Sequence, residues 1–336
     1  RRRCVLITRV LIANRGEIAV RIARTCRSLG IETVGVYSEP DRHALHVEAM
    51  DLSVALGGDT AAESYLRSDA LIEAATRTGC DAFHPGYGFV AENADVAQAV
   101  IDAGLIWIGP RPEQIRLLGD KVRAKRAAIA AGVPTTEIVE CSPSNIPTGL
   151  AYPVLVKAAS GGGGRGMRVV RSEAELADSI QAATREAEAA FGDGTVFIEP
   201  FIEDGRHVEV QIFGDAHGSV VHLGERDCSV QRRNQKIIEE SPSPGITDKV
   251  RTALCEGAVA LARSVGYENA GTVEYLVGSG AEPAITFLEV NTRLQVEHPV
   301  TEAVTGLDLV ELQLRIADGE ALGLTQEQVE FTGNAI

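Results

Sequence analysis

Aromatic residues, positive charge and long apolar runs are all scarce in this sequence of 336 residues. Aromatic residues make up 4% of the chain, which argues against a surface that stacks the bases of single-stranded nucleic acid. The 32 basic residues are outnumbered by 47 acidic ones, and the formal net charge of −15 repels nucleic acid and anionic membranes at long range. No apolar run approaches the ~20 residues that span a bilayer. We therefore predict no nucleic-acid partner and no membrane insertion, and an anionic ligand needs locally placed positive charge.

The sequence also lacks paired cysteines. Without CxxC spacing, neither a zinc site nor a disulfide framework is indicated, and we predict reduced thiols and a cytoplasmic location. The six cysteines lie far apart, at Cys4, Cys26, Cys80, Cys141, Cys228 and Cys255. The N-terminal stretch RRRCVLITRVLIANRG has no A-x-A cleavage pattern and is interrupted by Arg9, so we interpret it as a buried strand rather than a secretory leader.

The remaining composition, 45% hydrophobic and 24% charged, is that of a globular protein with two or three packed units. From Thr8 the sequence reads strand, helix and strand (VLIA, IAVRIARTCRSLG, ETVGVYS), which is typical of an open parallel sheet. Helices over 61–78 and 91–103 and the strands CDAFH and LIWIG continue this pattern. Residues 1 to about 115 are therefore predicted to form a doubly wound α/β domain. The turn NRGE has a single glycine and does not predict a dinucleotide site.

A second unit is predicted from about residue 116. Asp120 is placed to cap the helix KVRAKRAAIAAG, which ends at Gly132. Ser172 and Glu175 form a capping-box pattern in front of a longer helix. Apart from a helix over about 248–266, the rest of the unit is predicted to be largely strands.

Residues 157–170, KAASGGGGRGMRVV, place a lysine before four consecutive glycines and a strand after them. A Walker P-loop has the reverse order, with its lysine after the glycines and a helix behind it. We therefore predict that this loop closes a β-hairpin, in which amide N–H groups, Lys157 and Arg165 contact phosphates without obstruction by Cβ atoms. The alternative is a surface tip that binds nothing, but the entropy lost on ordering four glycines favours a ligand.

Two stretches alternate between apolar and polar residues. In RHVEVQIFGD, the polar residues His207, Glu209 and Gln211 share one face, and such a face of an antiparallel strand commonly meets solvent. In FLEVNTRLQVEH the alternation is longer. Its polar face holds Glu289, Asn291, Arg293, Gln295 and Glu297.

Oxygen ligands in the second stretch predict a metal site. Glu289 and Asn291 project side by side from one strand, and Glu274 lies on the strand before it in sequence. Mg²⁺ prefers hard oxygen ligands and usually takes one or two carboxylates together with substrate phosphates. The alternative is a solvated strand face with Arg293 in a salt bridge, which this stretch alone would favour. In combination with the glycine loop, a site for magnesium and a nucleotide is favoured.

Basic residues concentrate in GERDCSVQRRNQKIIEE. Because the net charge must be overcome locally wherever phosphate or bicarbonate binds, we interpret this cluster as an anion pocket. Its members are Arg226, Arg232, Arg233 and Lys236. The alternative is a basic surface turn that pairs with Glu239 and Glu240. The glycine-punctuated loop HPGYGFVAEN, residues 84–93, precedes a helix with Glu92 near its start, and we interpret it as structural.

The chain resembles the biotin carboxylase component of biotin-dependent carboxylases through six motifs that occur in the family's order: NRGEIAVRI, HPGYGF, KAASGGGGRGMRVV, RHVEVQ, GERDCSVQRRNQK and EVNTRLQVEHPVTE. These motifs cover nearly all of residues 8–320, and together they are far more specific than any one alone. The resemblance implies an α/β (α+β) fold, in which an open Rossmann-like domain (1–115) precedes an ATP-grasp domain (116–320) with a mobile lid (about 133–205). Residues 321–336 would begin a C-terminal domain that is mostly missing.

The resemblance also implies roles for individual residues. The phosphates would contact Lys121 and Lys157, and the nucleotide would lie against Gly163 and Gly164. The remaining nucleotide and cofactor contacts would come from Glu199, Pro200, Phe201, Ile202, His207, Gln231 and Asn234. The ligands of magnesium or manganese would be Glu274, Glu289 and Asn291. Bicarbonate would lie among Lys236, Arg293, Gln295 and the N–H group of Val296, and Glu297 would be its general base.

The implied reaction is the ATP-dependent carboxylation of biotin by bicarbonate, the first half-reaction of an acetyl- or propionyl-CoA-type carboxylase. Bicarbonate would attack the γ-phosphorus of MgATP to give carboxyphosphate, which requires positive charge to hold two anions together. Carboxyphosphate would then release CO₂ and phosphate, and phosphate would take the proton from N1′ of carrier-bound biotin. The implied cofactors are ATP, Mg²⁺ or Mn²⁺ and biotin. The implied partners are a biotin carboxyl carrier protein, a carboxyltransferase subunit, and a second copy or a larger complex.

The sequence departs from the family's pattern at several positions. Asn234 stands where many members have histidine, and Pro200 stands where lysine is more usual and removes an N–H donor. Residues 140–152 are shorter than the family's usual segment. The chain ends at FTGNAI, near the start of the family's C-terminal domain, so we expect it to bind MgATP but to carboxylate free biotin poorly. The alternatives are another ATP-grasp ligase, such as a carbamoyl-phosphate synthase-like or carboxylate–amine enzyme, and a nucleotide-binding module without catalysis.

Overall fold

The computed structural model describes residues 7–136, 138–159, 167–280 and 283–336. Gly163, Gly164 and Arg165 lie outside the described residues. The predicted contact between these residues and phosphate therefore stays a prediction.

The first unit is a five-stranded parallel sheet in the order β3-β2-β1-β4-β5. Alternate residues of its central strands pack into separate hydrophobic clusters, one with α1 and one with α3 and α4, so both faces are covered. The predicted doubly wound α/β architecture is confirmed. The strands are β1 (Arg9–Ile12), β2 (Glu32–Tyr37), β3 (Leu52–Ala55), β4 (Ala82–His84) and β5 (Ile106–Trp107), and the helices are α1 (Gly16–Ser28), α2 (Leu45–Glu48), α3 (Ser68–Arg77) and α4 (Ala94–Asp102).

Two helices of this unit begin later than predicted. The helix expected over 61–78 begins at Ser68, and the helix expected over 91–103 begins at Ala94. The second start is set by Asn93, whose side chain accepts two backbone hydrogen bonds from the first turn.

The next segment contains α5 (Pro112–Gly119) and α6 (Lys121–Ala130). The predicted cap of α6 is confirmed, because the Asp120 carboxylate accepts a hydrogen bond from the Arg123 N–H at 2.9 Å. The capping box predicted at Ser172 is wrong in detail. The Ser172 hydroxyl donates to the Glu175 carboxylate at 2.8 Å instead of accepting from a helix N–H.

A small antiparallel sheet in the order β6-β9-β7-β8 packs against the long helix α7. β7 and β8 flank the glycine-rich segment and pair antiparallel, as expected for a hairpin. The elements are β6 (Val139–Cys141), β7 (Val154–Ala158), β8 (Arg168–Val170), α7 (Glu173–Phe191) and β9 (Val196–Pro200).

A larger antiparallel sheet has the order β12-β11-β10-β13-β14 and packs one face on α8. Its elements are β10 (Arg206–Gly214), β11 (Val220–Arg232), β12 (Gln235–Glu240), α8 (Asp248–Ser264), β13 (Asn269–Val277) and β14 (Ile285–Asn291), followed by α9 (His298–Thr305) and α10 (Leu309–Ala317). The predicted strands and the helix over about 248–266 are confirmed. The long alternating stretch is not one strand, because β14 ends at Asn291 and α9 begins at His298.

A shared hydrophobic core joins the parallel unit to the large sheet. Ile12 and Ile22 belong to the same buried cluster as Phe213 and Leu223 of the large sheet and Leu314 of α10. The shared core holds the parallel unit against the face of the large sheet opposite α8, which is the face on which the candidate site lies. Within the described residues, no helix is both long and apolar enough to cross a bilayer.

Candidate active site

Carboxylates line up across three neighbouring strands of the large sheet, on the face opposite α8. Glu209 of β10 pairs in register with Glu274 of β13, and Glu274 pairs with Glu289 of β14. The residues beside them in sequence, such as Val208 and Val273, pack towards α8. Like charges placed directly opposite repel each other, so this row requires cations to hold it.

Most of the predicted polar faces are buried rather than solvated. Glu209 and Gln211 are 0% exposed, so the expectation that this side of β10 meets solvent is wrong. On the second stretch, Asn291, Gln295 and Glu297 are at most 8% exposed. The backbone leaves the strand after Asn291, but the alternation still directs these side chains to one place.

Lys236 of β12 holds the centre of the site. Its ammonium group donates to the carboxylates of Glu274 and Glu297, each at 2.8 Å, and also contacts Glu209. The side-chain amide of Gln295 donates to the same Glu274 oxygen at 3.1 Å. Lys236, Gln295 and Glu297, three residues predicted to surround bicarbonate, are therefore in direct contact or linked through Glu274.

The charges of this cluster determine its ionisation. Burial by itself would lower the pKa of Lys236, but the three carboxylates outweigh burial and raise it above its ordinary value. Burial would raise the pKa of Glu297, but the charges of Lys236 and Arg226 hold it below its ordinary value. Burial is likewise outweighed at Glu274, whose pKa lies well below the usual range because of His207 and Lys236. Lys236, Glu274 and Glu297 are therefore all ionised at neutral pH.

Arg226 supports the cluster from inside the sheet. It is 0% exposed, and its Nε donates to the Glu209 carboxylate at 2.6 Å while its Nη1 donates to Gln211 at 2.8 Å and Thr301 at 2.9 Å. This position corrects the prediction that Arg226 belongs to an anion pocket, because all its contacts are internal and it is closed to a ligand.

The other three basic residues of the predicted anion pocket do not lie together either. Arg232 and Arg233 are exposed around the turn between β11 and β12, so among the four basic residues only Lys236 enters the site. Asn234, next in the turn, is exposed and has a φ of +62°, a left-handed conformation that asparagine tolerates. The turn itself thus places these side chains away from the carboxylates.

Arg293 is held by partners on both sides. Its Nη2 donates to the Asn291 side-chain oxygen at 3.2 Å, and its Nε donates to the Glu92 carboxylate at 2.8 Å. The other oxygen of Glu92 accepts the Thr292 N–H at 3.2 Å. The loop interpreted as structural therefore reaches the site and orients one of its arginines, a contact that sequence reasoning missed because about 200 residues separate the partners.

His207 and Gln231 form the next layer outward from Glu274. The Nε2 of His207 lies 2.7 Å from a Glu274 oxygen, and its Nδ1 lies 2.8 Å from the Gln231 amide nitrogen. The Gln231 amide donates, so Nδ1 accepts and Nε2 carries the proton towards Glu274. Burial would lower the pKa of His207, but Glu274 raises it.

The two lysines predicted to contact phosphate lie on α6 and β7, and these two elements are linked through the Glu199 carboxylate. Lys121 begins α6, and its Nζ lies 3.5 Å from a Glu289 oxygen. Lys157 is the second-last residue of β7, and its Nζ donates to the Glu199 carboxylate at 2.8 Å. Lys125, one helical turn after Lys121, donates to the second Glu199 oxygen at 2.5 Å. Sequence reasoning missed Lys125, although its spacing of four residues from Lys121 placed it on the same helix face.

The segment predicted to meet adenine occupies the end of β9. The Glu199 carboxylate is buried between its two lysines, so its side chain is not directed at a ligand base. Pro200 is exposed, Phe201 and Ile202 are half-buried, and the Phe201 N–H donates to the Pro153 carbonyl at 3.1 Å. The predicted contact of this segment with adenine therefore stays a prediction.

The predicted metal ligands form a compact set. Glu274 and Glu289 face each other in register, and the Asn291 amide donates to a Glu274 oxygen at 2.7 Å. Two carboxylates and an amide oxygen are ligand types that Mg²⁺ and Mn²⁺ accept, and Glu289 is more exposed than Glu274. The assignment of these three residues as metal ligands stays a prediction.

Two further groups of ligand atoms have metal-like spacing. The ligand atoms of His207, Glu209 and Glu274 lie within 4.8 Å of one another, as do those of Glu209, Cys228 and Glu297. In both groups the Lys236 ammonium already contacts the carboxylates. The cation at these positions is therefore the lysine.

Two family models match most of the chain. Residues 6–115 match the biotin carboxylase N-terminal domain, and residues 120–325 match the ATP-binding domain of the carbamoyl-phosphate synthase L chain. The chain is 53% identical to the mitochondrial methylcrotonoyl-CoA carboxylase subunit alpha of Oryza sativa subsp. japonica, a match that covers 98% of this chain and 45% of that protein. It therefore spans about half the length of this relative.

Two shorter proteins match over more of their length. The chain is 50% identical to the biotin carboxylase of Allochromatium vinosum, covering 98% of this chain and 75% of that one. Among solved structures, the chain is similar to the biotin carboxylase domain dimer of the Hydrogenobacter thermophilus 2-oxoglutarate carboxylase, which was solved in complex with MgADP, ADP and bicarbonate. The two superpose with a TM-score of 0.90 at 43% sequence identity, and the match covers 98% of this chain and 73% of that one.

Proposed function

Because this chain belongs to the biotin carboxylase family, we propose that it carries the ATP- and bicarbonate-binding part of an enzyme that carboxylates carrier-bound biotin. The observation that carries the proposal is the contact of Lys236 with Glu297 and Glu274. This contact places a fixed positive charge, a candidate base and a candidate metal ligand within one ion cluster. An anion that entered between Lys236 and Arg293 would meet the ionised Glu297.

Each group in the cluster has a chemical task in this proposal. Lys236, Arg293 and the Val296 N–H hold the negative charge of bicarbonate, and ionised Glu297 accepts the proton of its hydroxyl group. The bicarbonate oxygen then attacks the γ-phosphorus of ATP, the bond to ADP breaks, and carboxyphosphate is formed. Carboxyphosphate releases CO₂ and phosphate, and phosphate removes the N1′ proton of biotin before CO₂ is added there.

Nucleotide binding is assigned to the neighbouring elements. Lys121 and Lys157 bind the phosphates, and the segment after β9 that contains Ile202 binds the base. Mg²⁺ or Mn²⁺ would be held by Glu274, Glu289 and Asn291 and would neutralise phosphate charge. Residues 133–205, which contain the small sheet, are proposed to act as the lid that excludes water from carboxyphosphate.

The partners follow from the same proposal. A biotin carboxyl carrier protein delivers biotin, a carboxyltransferase subunit consumes the product, and a second copy of the chain forms a dimer, as in the dimeric relative of solved structure. Five buried, unpaired cysteines support a reducing compartment, for which we propose the cytoplasm. The domain limits proposed are 1–115, 116–320 and 321–336.

The proposal is tested by titrating MgATP and by measuring ADP release with and without bicarbonate and biotin. We expect MgATP binding, and ADP release that requires bicarbonate. Glu297→Gln removes the base but keeps the side-chain volume, and should lower bicarbonate-dependent release about 10²- to 10⁴-fold without a change in MgATP affinity. Glu203→Gln, an exposed site on the lid, is the matched control. Failure to bind MgATP, or ADP release unaffected by Glu297→Gln, would refute the assignment.

A second function is favoured by one observation, the match of residues 120–325 to the carbamoyl-phosphate synthase ATP-binding domain. That family of ligases also activates a carboxylate with ATP, but it then transfers the product to an amine nitrogen. Ammonium and free biotin added separately to the same assay distinguish the two. Stimulation by ammonium and not by biotin would favour the synthase-like reaction.

A further inference from the structure

In the turn between Gln295 and helix α9, one residue, His298, supplies two hydrogen-bond donors to the backbone carbonyl of Gln295. The Gln295 carbonyl oxygen accepts the His298 backbone N–H at 3.3 Å and lies 2.7 Å from His298 Nδ1. The His298 ring is 1% exposed, so this contact is protected from water. Both donors direct the carbonyl towards the interior.

The protonation of His298 follows from its partner. A carbonyl oxygen only accepts hydrogen bonds, so Nδ1 must carry the proton. Burial lowers the pKa of His298, which keeps the ring neutral with a single proton. The opposite ring nitrogen, Nε2, is 3.9 Å from a Glu302 oxygen, beyond hydrogen-bond range. The single ring proton is thus used to hold the Gln295 carbonyl.

The direction of that carbonyl sets the direction of the next N–H group. The peptide between Gln295 and Val296 is trans, so its C=O and N–H point in opposite directions. Because the carbonyl points to His298, the Val296 N–H points away from His298. Val296 itself is 57% exposed, whereas its neighbours Gln295 and Glu297 turn inward towards Lys236.

We propose that His298 is a positioning residue that fixes the Gln295–Val296 peptide so that the Val296 N–H faces the bound bicarbonate. The inference rests on the proposed function, because it assigns a task to a residue behind the bicarbonate site. The preorganised N–H group then needs no reorientation when the anion enters, which is the condition under which a backbone donor contributes most.

Two substitutions separate this task from packing. His298→Asn places an amide nitrogen close to the position of Nδ1 and retains the donor, but it removes ring volume. His298→Phe keeps a ring of similar volume and removes the donor. A purely structural role predicts that the asparagine variant is the more disturbed of the two, whereas positioning predicts the opposite.

The measurement is bicarbonate titration of ¹⁵N-valine-labelled protein with MgADP present, and the Val296 amide signal is assigned by its loss in Val296→Ile. We expect the wild-type signal to shift on addition of bicarbonate. His298→Phe should weaken bicarbonate binding roughly tenfold or more, the scale of one hydrogen bond to a charged group, with MgADP affinity unchanged. His298→Asn should remain within about threefold of wild type, because its donor is retained.

The outcomes distinguish the inference from the function on which it rests. If the wild-type protein binds MgADP but bicarbonate moves no valine signal at the site, the proposed function fails and the inference fails with it. If wild type responds and His298→Phe binds bicarbonate equally well, the function stands and the positioning role is refuted. Equal loss in the asparagine and phenylalanine variants would also refute it, since packing would then explain both.

Discussion

Replacing Lys236 by methionine would leave three buried carboxylates without a shared cation. The methionine has a similar length, so the change removes charge with little change in packing. Lys236 is 18% exposed, and Glu209, Glu274 and Glu297 are at most 7% exposed, so solvent screens the cluster weakly. Removing one partner of a buried ion pair costs about 3–5 kcal/mol, and we expect a loss of this size in the free energy of unfolding near neutral pH.

The dependence of stability on pH near neutrality should also change. In the wild-type protein the folded-state pKa values of Glu274 and Glu297 are lowered, so their contribution is present above the unfolded pKa, about 4.3, and is lost as pH falls through the folded values. The raised pKa of Lys236 gives a contribution that is present below its unfolded value, about 10.4, and is lost only as pH rises through the folded value. Neither contribution varies between about pH 6 and pH 8.

Without Lys236, we expect burial to outweigh the remaining cations, His207 and Arg226, and to raise the pKa values of Glu274 and Glu297 above their ordinary value. A group whose folded pKa exceeds its unfolded pKa gains stability as pH falls, by up to about 1.4 kcal/mol per pH unit for each proton. The Lys236→Met variant should therefore recover stability between about pH 7.5 and pH 5.5, whereas the wild-type protein should not gain.

The assay is urea unfolding followed by far-UV circular dichroism at these two pH values, without nucleotide or metal. Arg171→Met removes one partner of an exposed ion pair with Glu203 and is the matched control, for which we expect no change in midpoint or in pH dependence. A Lys236→Met variant that lost equal stability at both pH values would contradict the reasoning, because the cluster would then not be taking up a proton.

Three further results are expected. Arg226→Met leaves the fully buried Glu209 with one cation fewer and should lower the free energy of unfolding, measured with urea, by about 3–5 kcal/mol. The double variant Arg226→Met/Glu209→Gln should lose less free energy than the sum of the losses in the two single variants. Additive losses would show that the two residues are not coupled. Lys125→Met leaves the Glu199 carboxylate to Lys157 alone and should cost about 1–3 kcal/mol in the same assay, and an unchanged midpoint would contradict the ion triad. Burial raises the pKa of several thiols, to about 12 at Cys26 and Cys255 and about 11 at Cys141. The described cysteines should therefore react with a thiol reagent only when the protein unfolds. Rapid reaction of any of them in the folded protein would contradict the burial of that thiol. These cysteines are Cys26, Cys80, Cys141, Cys228 and Cys255.

Local signals account for the elements that the sequence predicted correctly. The period-two pattern of RHVEVQIFGD predicted β10, and Asp120 predicted the start of α6. Each signal depends only on residues that are close together in the sequence. The motif EVNTRLQVEHPVTE likewise contains Gln295 and Glu297, which meet at Lys236. The end of β14 was not visible, because the alternation continues after the hydrogen-bonded strand stops at Asn291.

The contacts that sequence reasoning missed are all long-range. Glu92 and Arg293 are 201 residues apart, and Lys125 and Glu199 are 74 residues apart. Arg226 was grouped with its basic neighbours, although its contact is with Glu209 on the adjacent strand. Nothing in the local pattern distinguishes an arginine that faces solvent from one that faces a buried carboxylate.

Periodicity and capping patterns in the amino-acid sequence predicted most of the strands and helices and the alternation of their faces, and the motifs indicated which residues to expect near the ligands. The folded chain was needed to show that Glu209 and Glu274 are opposite each other in register and that Lys236 closes the cluster between them. The physical reason is that periodicity and capping act over a few residues, whereas register and burial are set by the packing of strands that are distant in the chain. The ionisation of the site depends on that packing, since the same carboxylates in solvent would neither need nor hold a shared lysine.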